Sequence, residues 1–131
     1  MSLNQLSKSI HEGNVQRGFY ETQQANGTLL MLVVSELSEA LEADRAGKHA
    51  DLNYFNDRIK EIEETKGSEI SKEEYALVFK NTLKDTYEDE IADAIIRLLD
   101  HCGYKNIDIE AHISAKLKYN ETRAHKHGKN Y

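Results

Sequence analysis

Two pairs of acidic residues, each spaced three apart, are the feature of this sequence that most directly suggests chemistry. Glu36 and Glu39 lie in SELSEAL, and Glu90 and Asp93 lie in EDEIADAII. Residues three apart lie about one turn from each other on the same side of a helix. Two such helices packed face to face would bring four carboxylates to one place. Mg2+ and Mn2+ prefer oxygen ligands of this kind, so the spacing predicts a divalent-metal site.

The rest of the chain must supply the helices that position these carboxylates. The sequence lacks proline, and its apolar residues recur at helical spacing, which predicts an all-α bundle of about four to six helices. Capping patterns place several of the helix starts. Four residues are predicted N-caps: Thr28, Ser71, Asp85 and Asp108. The expected helices are 3–24, 28–46, 55–64, 71–83, 85–103 and 108–122. In the four helices with a predicted N-cap, the range given begins at that capping residue.

A helical wheel places the two acidic pairs differently with respect to the expected core. On the second helix, Glu36 falls inside a broad apolar arc and Glu39 falls at its edge. A buried ionised carboxylate costs several kcal/mol unless it is paired or binds a metal, which favours a functional role for Glu36. Glu90 and Asp93 instead lie opposite the apolar face of their helix, where an ordinary solvated surface explains them equally well. The residues expected to be buried on the second helix are Leu29, Leu30, Leu32, Val33, Val34, Leu37, Ala40, Leu41 and Ala43.

Length and composition indicate one domain over residues 1–131, with a basic C-terminal tail at about 123–131. A chain of 131 residues with 39% hydrophobic content has material for a single core. The sequence has neither an apolar run of the roughly 20 residues that span a bilayer nor the features of a signal peptide, so we expect a cytoplasmic protein without membrane contact. The single cysteine, Cys102, lies in a helical apolar context, and we expect a core thiol.

Charge is unevenly distributed along the chain. The formal net charge of -6 argues against stable nucleic-acid binding. The C-terminal region is basic, however, with Lys116, Lys118, Arg123, Lys126 and Lys129 opposed only by Glu121. An acidic body with a basic tail is suited to one small phosphorylated ligand, held by metal on one side and by cations on the other.

Three aromatic residues have both structural and functional interpretations. Phe19 is expected to be a core residue, whereas Tyr20 could either pack in the core or stack on a base. For Tyr119 the two interpretations are equally supported.

The order of these segments resembles the MazG-like family of all-α nucleoside triphosphate pyrophosphohydrolases. The first acidic motif of that family is similar to LLMLVVSELSEALEADR, and the second is similar to DTYEDEIADAIIRLLDHCG. RGFYE resembles an upstream segment that often reads Gly-Phe-Trp, and KLKYNETRAHKHGKNY resembles the nucleotide-binding tail. The insert between Glu39 and Glu90 is longer than in the most compact members, which leaves the wall of the base pocket undefined.

The resemblance implies Mg2+-dependent, or Mn2+-dependent, hydrolysis of a (d)NTP to the monophosphate and pyrophosphate. It implies that Glu36, Glu39, Glu90 and Asp93 are the metal ligands. Glu36 and Glu39 are the expected catalytic residues, and Glu39 is the candidate general base because it lies at the margin between the apolar arc and solvent. The residues that it assigns to substrate binding are Lys116, Tyr119, Asn120, Arg123 and Lys126, and His127 belongs to the same basic tail. It also implies a bundle completed by association into a homodimer or homotetramer.

A second hypothesis belongs to a different class of protein. The same helices could form a binding or regulatory module without turnover, in which the acidic helices contact a partner. Retention of all four acidic positions and of the basic tail favours the enzyme.

Overall fold

The computed structural model describes residues 1–123, which form six α-helices and no strand. The prediction of an all-α chain is therefore confirmed for this part of the sequence. Within residues 1–123, none of the helices combines the length and the apolar character needed to cross a membrane. The helices are α1 (Leu3–Gln16), α2 (Asn26–Arg45), α3 (Leu52–Lys66), α4 (Lys72–Thr82), α5 (Tyr87–Tyr104) and α6 (Ile109–Glu121).

Two of the four predicted N-caps are confirmed. The Ser71 side chain accepts a hydrogen bond from the Glu74 amide in a complete capping box, and the Asp108 side chain accepts one from the Ala111 amide. The Thr28 prediction is wrong, because α2 already begins at Asn26. The capping box predicted at Asp85 is also wrong: the Asp85 backbone is left-handed, with φ 62°.

The predicted first helix is too long, since α1 ends at Gln16 rather than near residue 24. Gly18, with φ 87°, turns the chain out of the helix, and its amide donates to the Val15 carbonyl. Glycine adopts this left-handed conformation without the steric cost that other residues meet. α3 is longer than predicted, because Asp51 caps it and it continues to Lys66.

The chain divides into two compact units, which are described separately. The terminal unit comprises Met1–Ala25 and the described part of Ile96–Tyr131, and the central unit comprises Asn26–Ile95. α5 contributes its first half to the central unit and its second half to the terminal unit.

In the terminal unit, α1 contacts α6 and the second half of α5. The hydroxyl of Ser7, which is 2% exposed, donates a 2.6 Å hydrogen bond to the carbonyl of Leu99. Gly103 permits this close approach, because a Cβ atom there would lie 2.7 Å from both the Ser7 carbonyl oxygen and His11 Cβ. Cys102 is buried beside it, which agrees with the expected core thiol, and burial raises the pKa of its thiol.

In the central unit, one buried apolar residue from each of α3 and α4 joins residues of α2 and α5 in the core. Phe55 of α3 packs edge-to-face against Tyr75 and Phe79 of α4. The buried apolar residues of the unit are Val33, Ala40, Ala43, Phe55, Val78 and Ala94.

The apolar arc predicted for α2 is only partly buried. Val33, Ala40 and Ala43 are covered and Leu29 is half-buried, but the other large side chains of the predicted arc remain 38–50% exposed. The prediction was wrong for these positions because a helical wheel identifies apolar residues but not the width of the surface that neighbouring helices cover. The exposed residues of the predicted arc are Leu30, Leu32, Val34, Leu37 and Leu41.

Candidate metal centre

α2 presents its two acidic residues as the helical wheel predicts. Glu36 is 7% exposed and lies on the same helix face as buried Val33 and Ala40. Glu39, one turn later, is exposed. A buried carboxylate is therefore followed on the same side of the helix by one that solvent reaches.

α5 presents Glu90 to the interior, although the helical wheel places it opposite the apolar face of the helix. Glu90 is 6% exposed, whereas the apolar Ile95, later on the same helix, is 51% exposed. The start of α5 contributes to this orientation, because buried Thr86 accepts a hydrogen bond from the Asp89 amide and donates one to the Leu83 carbonyl. This anchored first turn fixes which side of α5 faces the core.

Three of the four predicted metal ligands converge. Glu36, Glu39 and Glu90 each place a carboxylate oxygen within 4.8 Å of the other two. This all-oxygen set of donors has the chemistry that Mg2+ or Mn2+ requires. Asp93 is half-buried on α5, one turn after Glu90, and lies outside this group.

The cluster is electrostatically unfavourable when all of its carboxylates are ionised. Burial, followed by the Glu39 carboxylate and then by Glu36, raises the pKa of Glu90 to about 7. A shared hydrogen bond between Glu39 and the protonated Glu90 contributes to the same shift. A divalent cation bound by these oxygens would neutralise the negative charge that causes the shift.

A second acidic group adjoins the first, and the sequence interpretation missed it. Asp85, Asp89 and Glu90 also have carboxylate oxygens within 4.8 Å of one another. The amide of Asp85 donates to Asp89 Oδ2, and the ammonium of Lys84 lies 2.7 Å from Asp85 Oδ1. The concentration of acidic residues in KDTYEDE was the available signal, but only the left-handed turn at Asp85 brings its carboxylate back toward α5.

A cavity of about 520 Å³ adjoins the carboxylates within the central unit. Glu39 and Glu90 line it, together with Ser38 of α2 and Lys48 of the turn that follows α2. The cavity is thus acidic, with one ammonium at its wall. Lys48 was not among the predicted site residues, because a single lysine in a polar stretch carries no pattern.

The predicted substrate residues in α6 and just beyond its end belong to the terminal unit. The Lys116 ammonium lies 4.9 Å from the centre of the Tyr119 ring, and the Arg123 guanidinium lies 5.7 Å from it. The side-chain oxygen of Asn120 is buried and has no hydrogen-bond partner within the described chain. Lys126 and His127 lie outside the described residues.

The aromatic residues of RGFYE have roles that differ from those expected. Phe19 is 64% exposed, so its assignment to the core was wrong. Tyr20 is the structural residue: its hydroxyl donates to Asp100 Oδ2 at 2.8 Å, and its ring packs against His11 and Tyr104. Burial and the Asp100 carboxylate together raise the pKa of the Tyr20 hydroxyl far above its usual value.

Asp100 is the centre of this network and was not singled out from the sequence. Its carboxylate also contacts His11 Nδ1 at 2.9 Å and accepts a hydrogen bond from Asn14 Nδ2 at 2.9 Å. Asp100 follows two leucines on α5, and no spacing pattern connects it to residues 80 or more positions earlier. The network joins α1 and the segment after it to the second half of α5.

Comparisons with protein-family models, with curated proteins and with solved structures gave no match to this chain.

Proposed function

We propose that this protein is a metal-dependent nucleoside triphosphate pyrophosphohydrolase of the MazG-like type, which cleaves a (d)NTP to the monophosphate and pyrophosphate. The observation that carries the proposal is the convergence of Glu36, Glu39 and Glu90, two of them buried, beside a cavity of about 520 Å³. Buried carboxylates that repel one another are costly to a fold, and binding of a divalent cation offsets that cost. The order of the motifs along the sequence supplies the nucleotide as the substrate class.

The proposed roles of the residues are metal binding, proton transfer and substrate binding. Glu36 and Glu90, which are buried, would hold Mg2+ or Mn2+ together with Glu39, and the resemblance adds Asp93 to this set of ligands. The bound ion would neutralise phosphate charge and make a coordinated water a better nucleophile. Glu39 is exposed at the cavity and would accept a proton from the attacking water. The resemblance assigns the phosphates to Lys116 of α6 and to Arg123 beyond its end, and the nucleoside to Asn120 and Tyr119.

We further propose that the protein self-associates through α2, as a homodimer or homotetramer. Leu30, Val34, Leu37 and Leu41 are each 45–50% exposed. Their spacing of four, three and four residues is that of a coiled-coil seam. Light scattering during size-exclusion chromatography tests this interpretation, and Leu37→Glu is expected to lower the mass. A monomeric wild-type protein would contradict it.

The enzymatic proposal is tested by pyrophosphate release from a panel of NTPs and dNTPs with Mg2+, with Mn2+ and with EDTA, the nucleotide products being resolved. Metal-dependent formation of the monophosphate and pyrophosphate is the expected result. No turnover across the panel would favour the alternative, a helical binding module without catalysis.

Two sets of variants test the metal-binding and substrate-binding roles proposed for these residues. Glu36→Gln is expected to lower turnover at least about a hundredfold, because even outer-shell changes at metal sites cost about 10- to 100-fold. Glu64→Gln, an exposed change in the same unit, is the matched control. Lys116→Met and Arg123→Met are expected to raise KM. Unchanged kinetics in Glu36→Gln would refute the metal assignment.

A further inference from the structure

The turn between α2 and α3 carries a lysine whose main chain is firmly held. Gly47, with φ 69°, ends α2 and reverses the chain. The amide of Lys48 then donates to the Ala43 carbonyl at 2.8 Å, and the amide of Gly47 donates to the Asp44 carbonyl at 2.9 Å. Lys48 is therefore folded back against the last turn of α2.

The first turn of α5 holds the same lysine from its other side. The amide of Tyr87 donates to the Lys48 carbonyl at 2.8 Å, and the amide of Ala50 donates to Glu88 Oε2 at 2.7 Å. These contacts join the turn to the helix that provides Glu90, so the backbone of Lys48 is connected to both acidic helices of the candidate centre.

His49 reinforces the same connection through its side chain. Its Nδ1 lies 3.1 Å from Glu88 Oε1 on α5, and its Nε2 lies 3.1 Å from Asp44 Oδ1 on α2. The ring also packs 5.4 Å from the ring of Tyr87. The imidazole thus bridges a carboxylate from each of the two helices and limits how the turn moves relative to them.

The side chain of Lys48, in contrast, lines the acidic cavity without a fixed partner. Among residues 1–123, it is the basic residue on the wall of the cavity that Glu39 and Glu90 also line, and no carboxylate of that part of the chain lies within 4.0 Å of its ammonium. Lys84, near the same carboxylates, is already paired with Asp85. Lys48 therefore combines a fixed backbone with a free point charge, the arrangement suited to binding an oxyanion.

We propose that Lys48 is a substrate-contacting residue of this site, whose ammonium binds phosphate oxygens of the nucleotide, and that His49 is the residue that positions it. The inference rests on the proposed function for the identity of the ligand. Metal ions held by the carboxylates would balance only part of the negative charge of a triphosphate chain, and a cation on the wall of the same cavity would balance more of it. The substrate class of the site is accordingly a polyphosphate bound as its magnesium complex.

The test measures binding of inorganic triphosphate at saturating Mg2+ by isothermal titration calorimetry. Lys48→Met is expected to weaken binding about tenfold to a hundredfold, the usual effect of losing a hydrogen bond to a charged group, and Lys48→Arg is expected to restore part of it. Lys80→Met makes the same change at an exposed lysine of α4 and is the control. Equal affinities of Lys48→Met and Lys80→Met would overturn the proposal.

A double-mutant cycle tests the positioning role of His49. His49→Gln is expected to weaken triphosphate binding about threefold to tenfold in the wild-type background, and to have no effect in the Lys48→Met background. A purely structural role of His49 would give the same loss in both backgrounds, and that result would refute the positioning role. Circular dichroism spectra establish that each variant is folded.

The outcomes separate this inference from the enzymatic proposal. Turnover of NTPs with unchanged kcat and KM in Lys48→Met would overturn the inference and leave the enzymatic proposal intact. Absence of turnover in the wild type, with triphosphate binding that depends on Lys48, would refute the enzyme and support the binding role of Lys48.

Discussion

Replacing Glu90 with glutamine is expected to stabilise the metal-free protein at alkaline pH and to remove its stabilisation by Mg2+. The carboxylate of Glu90 is 6% exposed and lies against those of Glu36 and Glu39. Glutamine is similar in size and carries no charge, so the variant loses the repulsion while it retains most of the packing. The same change removes one proposed ligand of the metal.

The magnitude follows from the pKa of Glu90, which burial and the neighbouring carboxylates raise from 4.5 to about 7. At about 1.4 kcal/mol per pKa unit, the ionised side chain costs the folded protein up to about 3 kcal/mol. Because the folded protein binds this proton more tightly than the unfolded chain, wild-type stability should fall as the pH rises from 4.5 to about 7. Desolvation of the glutamine amide lowers the net gain, and we expect about 1–3 kcal/mol at about pH 8.

The assay is urea unfolding followed by far-UV circular dichroism in EDTA, at about pH 5 and about pH 8. Glu90→Gln should exceed the wild type in free energy of unfolding at the higher pH, and the difference should be smaller at the lower pH. Added Mg2+ should stabilise the wild type but not the variant. Glu69→Gln, the same change at an exposed position in the same unit, should match the wild type in each condition. Lower stability of Glu90→Gln in EDTA at the higher pH would refute the electrostatic account of the cluster.

Three further predictions concern the fold. Gly103→Ala should lower the free energy of unfolding by about 1–3 kcal/mol in urea titrations, because the added Cβ would lie 2.7 Å from backbone and Cβ atoms of α1. Gly27→Ala is the control and should not lower it, because nothing lies within 4 Å of the added Cβ. Tyr20→Phe removes a donor to a half-buried carboxylate and should cost about 1–2 kcal/mol in the same measurement, while Phe19→Ala should cost less than about 0.5 kcal/mol because Phe19 is largely exposed. Ser71→Ala removes a capping box and should lower stability by about 1 kcal/mol, and a thermal melt unchanged from that of the wild type would contradict this expectation.

The sequence by itself determined the class of fold and the local structure that depends on near neighbours. The period of its apolar residues gave an all-α chain, and the caps at Ser71 and Asp108 were identified from the residue types alone. The spacing of Glu36 and Glu39 placed both on one side of α2, because a helix fixes the direction of residues three apart. These features depend on interactions within about one turn of helix, which a short stretch of sequence contains.

The tertiary structure decided which of these residues meet. The burial of Glu90 and the exposure of Leu37 both differ from their positions on the helical wheel, since they depend on how far each helix is rotated toward its neighbours. The contacts of Asp100 with Tyr20 and of His49 with Glu88 join residues 80 and 39 positions apart. Local periodicity carries no information on such pairings, because they arise only when distant helices pack to bury apolar surface and to satisfy their polar groups.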